Sequence, residues 1–95
     1  MRAFASPAVR RAQATGLNTF GDGTLLSYAA LNNDPDRLLF ITPNSGKPGC
    51  AADGKALGLR FVPASGGIPG QWEIYHVDGT SPPANACYNV LVIRP

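Results

Sequence analysis

From residue 56 the chain alternates. In ALGLRFV (56–62) Leu57, Leu59 and Phe61 fall on one parity and Gly58 and Arg60 on the other, the two-residue period of a strand with one face buried. QWEIYHV (71–77) repeats the pattern, with Trp72, Ile74 and His76 on one face and Glu73, Tyr75 and Val77 on the other. Two runs, LLFIT (38–42) and CYNVLVIR (87–94), are apolar on both parities, and LLFIT is expected to lie centrally with both faces covered. TLLSYAAL (24–31) reads as a further strand. FASPAVRRAQA, within residues 1–14, is expected to be a ragged edge strand broken by Pro7, a short helix with that proline in its first turn being the alternative.

The segments between are turn chemistry. GLNTFGDG (16–23), NNDPD (32–36), PASGGIPG (63–70) and DGTSPPANA (78–86) are rich in residues that accept positive φ, bond their own backbone or cannot continue a ladder. PNSGKPGCAADGK (43–55) is the longest loop, and long loops in compact domains often carry function. Eleven glycines and nine prolines in 95 residues reinforce the reading of short strands and frequent turns. The expected fold is therefore all-β, a small antiparallel sandwich or barrel of five to six strands, formed as one domain over 1–95.

Charge narrows the partners. Eight Lys/Arg against six Asp/Glu leave a net charge of +2, with the basic residues dispersed, so nucleic acid is not an expected partner. No apolar run approaches the ~18 residues of a membrane span. The opening MRAFASPAVRRAQATG lacks the apolar core of a signal peptide, so a soluble chain is expected, extracellular or periplasmic if a leader has been removed. Cys50 and Cys87 form a candidate disulfide, which would close a loop of about 38 residues and stabilise the fold by ~4 kcal/mol; two unpaired buried thiols are the alternative.

Three stretches, NNDPDRLLFITPN (32–44), WEIYHVDG (72–79) and PPANACYNVLVI (82–93), resemble an uncharacterised bacterial β-domain family found in extracellular and multidomain proteins. Its members read approximately N-x-N-P-x-A-x-x-x-V-T-x-N, then W-x-I-x-N-x-D, then M-P-x-G-A-x-F-N-V. The resemblance covers about residues 15–93 and places Pro35, Thr42, Asn44, Trp72, Ile74, Asp78, Asn89 and Val90 at pattern positions. It implies an all-β domain and supplies no catalytic residues. The chain departs from the pattern at Asp36-Arg37, at His76, and in carrying Cys50 and Cys87.

His76 and Asp78 share a parity and could touch, which would give a base oriented by a carboxylate beside Tyr75, Tyr88 and Asn89; no sequence position fixes a nucleophile, so a structural histidine is the competing reading. Trp72, on the face of Ile74, is expected in the core, with a groove for a sugar or small molecule, shared with Tyr75 or Tyr28, as the alternative; on an undistorted strand Trp72 and Tyr75 must face opposite ways. Asn32, Asp34 and Asp36 begin like a calcium loop, but Arg37 stands where glycine is needed and Pro43 where glutamate is needed. An irregular oxygen site with Asp22 or Asn44 would be its remnant. One histidine and two distant cysteines predict no transition metal. GDG, SGG and ADG do not join a strand to a helix as a phosphate loop does, and no cofactor is expected.

Extra apolar residues on 38–42 and 87–93 must line a cavity, close a barrel or meet another subunit. The expected function is that of a non-catalytic binding or interaction module for carbohydrate or another small polar ligand, with Trp72, Tyr75, His76, Asp78, Tyr88 and Asn89 as candidate ligand residues. The alternatives are a small barrel enzyme using His76 and Asp78, and a structural homo-oligomer.

Overall fold

The computed structural model describes residues 8–28 and 31–93. Within them the chain forms seven strands: β1 (Ala8–Gln13), β2 (Thr19–Phe20), β3 (Gly23–Leu26), β4 (Leu38–Pro43), β5 (Leu57–Val62), β6 (Gln71–His76) and β7 (Cys87–Ile93). They build two antiparallel sheets, one ordered β1-β7-β4 and the other β2-β3-β6-β5. The sheets stay separate, so the fold is sandwich-like and not a closed barrel. The strand beyond the expected six is β2, two residues within the stretch read as a turn, paired as Thr19 with Thr24 and Phe20 with Gly23. Residues 1–7, Ala29 and Ala30 of TLLSYAAL, and Arg94 of CYNVLVIR lie outside the described residues. No helix among the described residues is long and apolar enough to cross a membrane.

The core is where the alternating faces meet. Leu26 and Ile74 from one sheet, Ala12, Tyr88, Val90 and Val92 from the other, and Ala14, Leu31 and Ala86 from flanking turns are all buried. Leu39, Ile41, Leu57, Leu59 and Trp72 pack against them. Burial of each full-sized aliphatic side chain stabilises the fold by roughly 1.5–3 kcal/mol. Sequence parity carries over to β5 and β6 as expected, with Trp72, Ile74 and His76 inward and Glu73 and Tyr75 outward.

β4 departs from its expected place. It is the outer strand of the three-stranded sheet, not a central one, and its outward residues Leu38 and Phe40 are 60% and 61% exposed. β7 is the strand hydrogen-bonded on both sides. Apolar character on both parities signals burial of both faces only where a second layer exists, and here one layer covers one face.

The β5–β6 connection is closed by reciprocal bonds between Ser65 and Ile68, N to O at 3.0 and 2.9 Å. Gly66 and Gly67 take φ of 58° and 83°, the two positive values that a type I′ turn demands. At its far end β6 stops at Asp78-Gly79-Thr80, where the Thr80 N–H donates to Asp78 Oδ1 at 3.0 Å and Gly79 takes φ of 80°.

Candidate functional site

The long loop after β4 is stitched to the start of β7. Cys50 and Cys87 are joined by a disulfide with their Cα atoms 5.3 Å apart, Ala51 bridges Ala86, and the Ala51 N–H donates to Asn85 O at 2.8 Å. This attachment delivers Asp53, three residues past Cys50, into the interior. Its carboxylate accepts a hydrogen bond from the Tyr88 hydroxyl at 2.5 Å, lies 2.6 Å from His76 Nε2, and accepts from the Lys55 N–H at 3.1 Å. Burial pushes the Asp53 carboxyl up, but the bonds from His76, Tyr88 and Lys55 outweigh it and hold the group below its ordinary range. Burial, with the Asp53 bond and charge added, pushes the Tyr88 phenol well above its ordinary value.

His76 Nδ1 stands 3.1 Å from Thr80 Oγ1, whose own proton goes to Asp78 Oδ1 at 2.6 Å. The two Thr80 bonds and the Lys55 ammonium, 3.0 Å away, hold the Asp78 carboxyl far below its usual range. His76 and Asp78 therefore do not meet: the turn swings Asp78 outward, and Thr80 lies between them. The carboxylate that orients the imidazole is Asp53. The trio runs Tyr88 hydroxyl, Asp53 carboxylate, His76 imidazole, with the carboxylate in the middle. The imidazole is 1% exposed, the Asp53 side chain is wholly buried and Tyr88 is inaccessible, so none of the three can reach a substrate. Every polar side-chain atom of the trio has a partner within the protein, His76 Nδ1 at Thr80 Oγ1 and Asp53 Oδ1 at the Lys55 N–H included, which is how a buried polar cluster becomes a lock.

The other candidates scatter. Trp72 is half-buried in edge-to-face contact with Phe61, ring centres 5.7 Å apart, and its indole N–H donates to Asp34 O at 2.8 Å. Tyr75 lies on the outer face of its sheet, its ring packed over Gly58, where a Cβ would come within 2.6 Å of the phenol carbon. The Arg60 guanidinium caps that ring at 4.3 Å and binds Glu73 at 2.5 Å and Asp22 at 2.6 Å. Asp34 is paired with Arg37 at 2.9 Å. The remnant calcium site is thus dispersed, its carboxylates Asp22 and Asp34 each holding an arginine, and among the described residues no three His, Cys, Asp or Glu gather.

Asn89, one residue past Tyr88, faces the opposite way. Its amide N–H donates to Thr42 Oγ1 at 3.2 Å, and its carbonyl accepts from Asn44 Nδ2 at 3.0 Å. Asn44 Oδ1 in turn accepts the Gly46 N–H at 3.1 Å. Thr42 is two residues from the exposed Phe40 on the same face of β4, and Phe40 pairs with Leu91 and Leu38 with Ile93 on β7. The outer side of β4 and β7 is consequently apolar at one end and amide-lined at the other. Each amide nitrogen keeps one N–H uncommitted within this array, and the Thr42 hydroxyl keeps its proton to donate. Of these residues the sequence marks Asn89 as a ligand candidate and Asn44 only as a possible oxygen ligand; Phe40 and Thr42 were hidden by the expectation that 38–42 is covered. Asp53 was missed too, although its place three residues after a cysteine paired to β7 was a usable signal.

A family model for a domain of unknown function, DUF7452, matches residues 3–92, nearly the whole chain. The chain belongs to that family. Comparisons with curated proteins and with solved structures return no match. Membership agrees with the uncharacterised family expected from the sequence and takes in both the enclosed trio and the open face.

Proposed function

We propose that this DUF7452 domain is a non-catalytic binding module that takes a carbohydrate, or a similarly small polar ligand with one apolar side, on the outer face of β4 and β7. The observation that carries the reading is the placement of a 61%-exposed Phe40 beside the held Thr42–Asn89–Asn44 array. An aromatic ring packs against the C–H face of a sugar, and fixed amide N–H and hydroxyl groups donate to its hydroxyl oxygens at little further ordering cost. The other aromatic candidates are engaged elsewhere: Tyr88 with Asp53, Trp72 with Phe61 and Asp34, Tyr75 beneath Arg60. Binding is favoured over chemistry at His76 because the imidazole is enclosed and its partners are all internal.

A panel of oligosaccharides tests this by thermal unfolding. A true ligand at a hundred times its Kd stabilises the fold by about 2.7 kcal/mol, without turnover. Phe40→Ala and Asn89→Ala are each expected to abolish that shift while leaving the unliganded midpoint close to wild type. A stabilising sugar whose effect survives both substitutions would sink the assignment of this face, and product formation that depends on His76 would sink the binding reading itself.

A further inference from the structure

The two edges of the three-stranded sheet are finished differently. The Asn44 N–H donates to Cys87 O at 2.8 Å, and 44 stands opposite 87 in the register that pairs Pro43 with Tyr88. Hydrogen-bonded and non-bonded pairs alternate along an antiparallel ladder, so Leu38, Phe40 and Thr42 direct their backbone groups to β7, and Leu39, Ile41 and Pro43 direct theirs to the open edge. The same rule applied to the Ala14 N–H, which donates to Ala86 O at 2.8 Å, turns Arg11 and Gln13 of β1 outward. Both of those carbonyls are capped, Arg11 O by the Tyr28 hydroxyl at 3.0 Å and Gln13 O by Asn18 Nδ2 at 2.9 Å. That agreement fixes the phase of the ladder, and it shows an edge protected by side chains and carrying two arginines.

β4 has neither device. From Leu38 to Pro43 it bears no charge, and among the described residues no side chain caps Leu39 or Ile41. The outer strand of the second sheet, β5, carries Arg60. An uncharged, apolar, uncapped edge is a template for another strand. We infer that β4 pairs antiparallel with β4 of a second copy of this chain, about a two-fold axis at Phe40, to form a dimer with one continuous six-stranded sheet.

The register follows from two constraints. Opposed residues must face the same side, which limits the two-fold to a residue and excludes a point between residues. Centring on Phe40 sets Leu39 against Ile41 of the second copy, and both exchange their N–H and C=O groups fully. Centring on Ile41 sets Leu39 against Pro43, which has no N–H, and leaves Leu39 O without a donor. With Phe40 on the axis, the two rings meet as the close, non-hydrogen-bonded pair, and Leu38 lies against Thr42. The occupant is a second copy because an uncharged strand meets itself without like-charge repulsion and the contact is isologous. A single strand pair buries less than the ~800 Å² per partner of tight complexes, so the dimer is reversible and forms with rising concentration.

Sedimentation equilibrium of the whole chain, disulfide intact, tests it. Wild type is expected to pass from monomer to dimer as concentration rises. Phe40→Lys and Phe40→Glu, each setting like charges face to face, are expected to weaken association about tenfold, and an equimolar mixture of the two to restore it. Phe40 is exposed, so unfolding curves near wild type confirm that both variants fold. Asn89→Ala, which disturbs the ligand face and not the edge, is expected to dimerise as wild type does. Wild type remaining monomeric throughout, or dimers indifferent to both charges, would overturn the inference; a mixture that fails to recover would overturn the register.

Discussion

Tyr88 and Asn89 are neighbours on β7 and end in opposite worlds. The Tyr88 hydroxyl enters a trio whose donors and acceptors are matched within the protein, delivered there by a loop tied down through Cys50–Cys87. The Asn89 amide enters an array of similar size on the outer face, in which hydrogen-bonding capacity is left over. Both clusters are polar and both are ordered. What separates them is closure: a buried polar group must be satisfied internally or it costs the fold, whereas an exposed one can be held in place and still offer donors to a ligand. Perturbed titration marks the closed cluster, and leftover valence marks the open one. The proposed function rests on the second, because the groups with displaced pKa values inside the sandwich have no access to a substrate.

Breaking the closed cluster is expected to give the largest effect. Asp53→Ala strands the His76 imidazole and the Tyr88 hydroxyl without their shared acceptor, and each buried polar group left without a partner costs roughly 1–3 kcal/mol. Asp78→Ala removes the same chemical group from an exposed turn, where solvent screens the ion pair with Lys55 and its loss changes stability little. Urea unfolding of the two variants side by side should separate them clearly. Equal and small losses would mean that the trio is no lock.

Titration provides the next test, with a sign for each limb. The Asp53 carboxyl is held below its ordinary value in the fold, so as pH drops below about 4 the unfolded chain takes up a proton that the native state refuses, and stability falls. The Tyr88 phenol is held above its ordinary value, so above about pH 10 the unfolded chain loses a proton that the native state keeps, and stability falls again. Tyr88→Phe is expected to cost about 1–3 kcal/mol at neutral pH and to flatten the alkaline limb, leaving the part due to Tyr28, which burial also raises against the opposing charge of Arg10. An alkaline limb unchanged in Tyr88→Phe would contradict the placement of this phenol.

Much of the fold was legible because it follows from local rules. Alternation placed Ile74 and Trp72 inward and Tyr75 outward, and glycine pairs and Asp-Gly doublets marked the turns. What escaped depends on which strands lie side by side. LLFIT reads as central because apolar residues occupy both parities, and only the sheet order reveals that Leu38 and Phe40 face outward. His76 drew notice as a residue that a carboxylate could orient, but the nearest one in sequence, Asp78, is claimed by Thr80 of its own turn and by Lys55 of the long loop. Asp53 lies 23 residues away, and no periodicity connects a loop to the strand it will cover. Tyr75 resting over Gly58 is likewise a cross-strand fact, invisible until the register joins positions 58 and 75.

The smallest effect sharpens the comparison most. Asn89→Ala should change stability by no more than about 0.5 kcal/mol, the range of exposed substitutions away from buried networks. Tyr88→Phe and Asn89→Ala combined form a cycle between residues joined by a peptide bond, for which coupling would ordinarily be expected. The pleat sends their side chains to opposite faces, and their hydrogen-bond partners do not overlap: Asp53 for one, Thr42 and Asn44 for the other. The losses should therefore add within about 0.3–0.5 kcal/mol, as they do for independent sites. A larger coupling in equilibrium unfolding would show that the strand transmits strain between its two faces, so that occupying the open array would tighten or loosen the enclosed trio, and closure alone would no longer separate the two clusters.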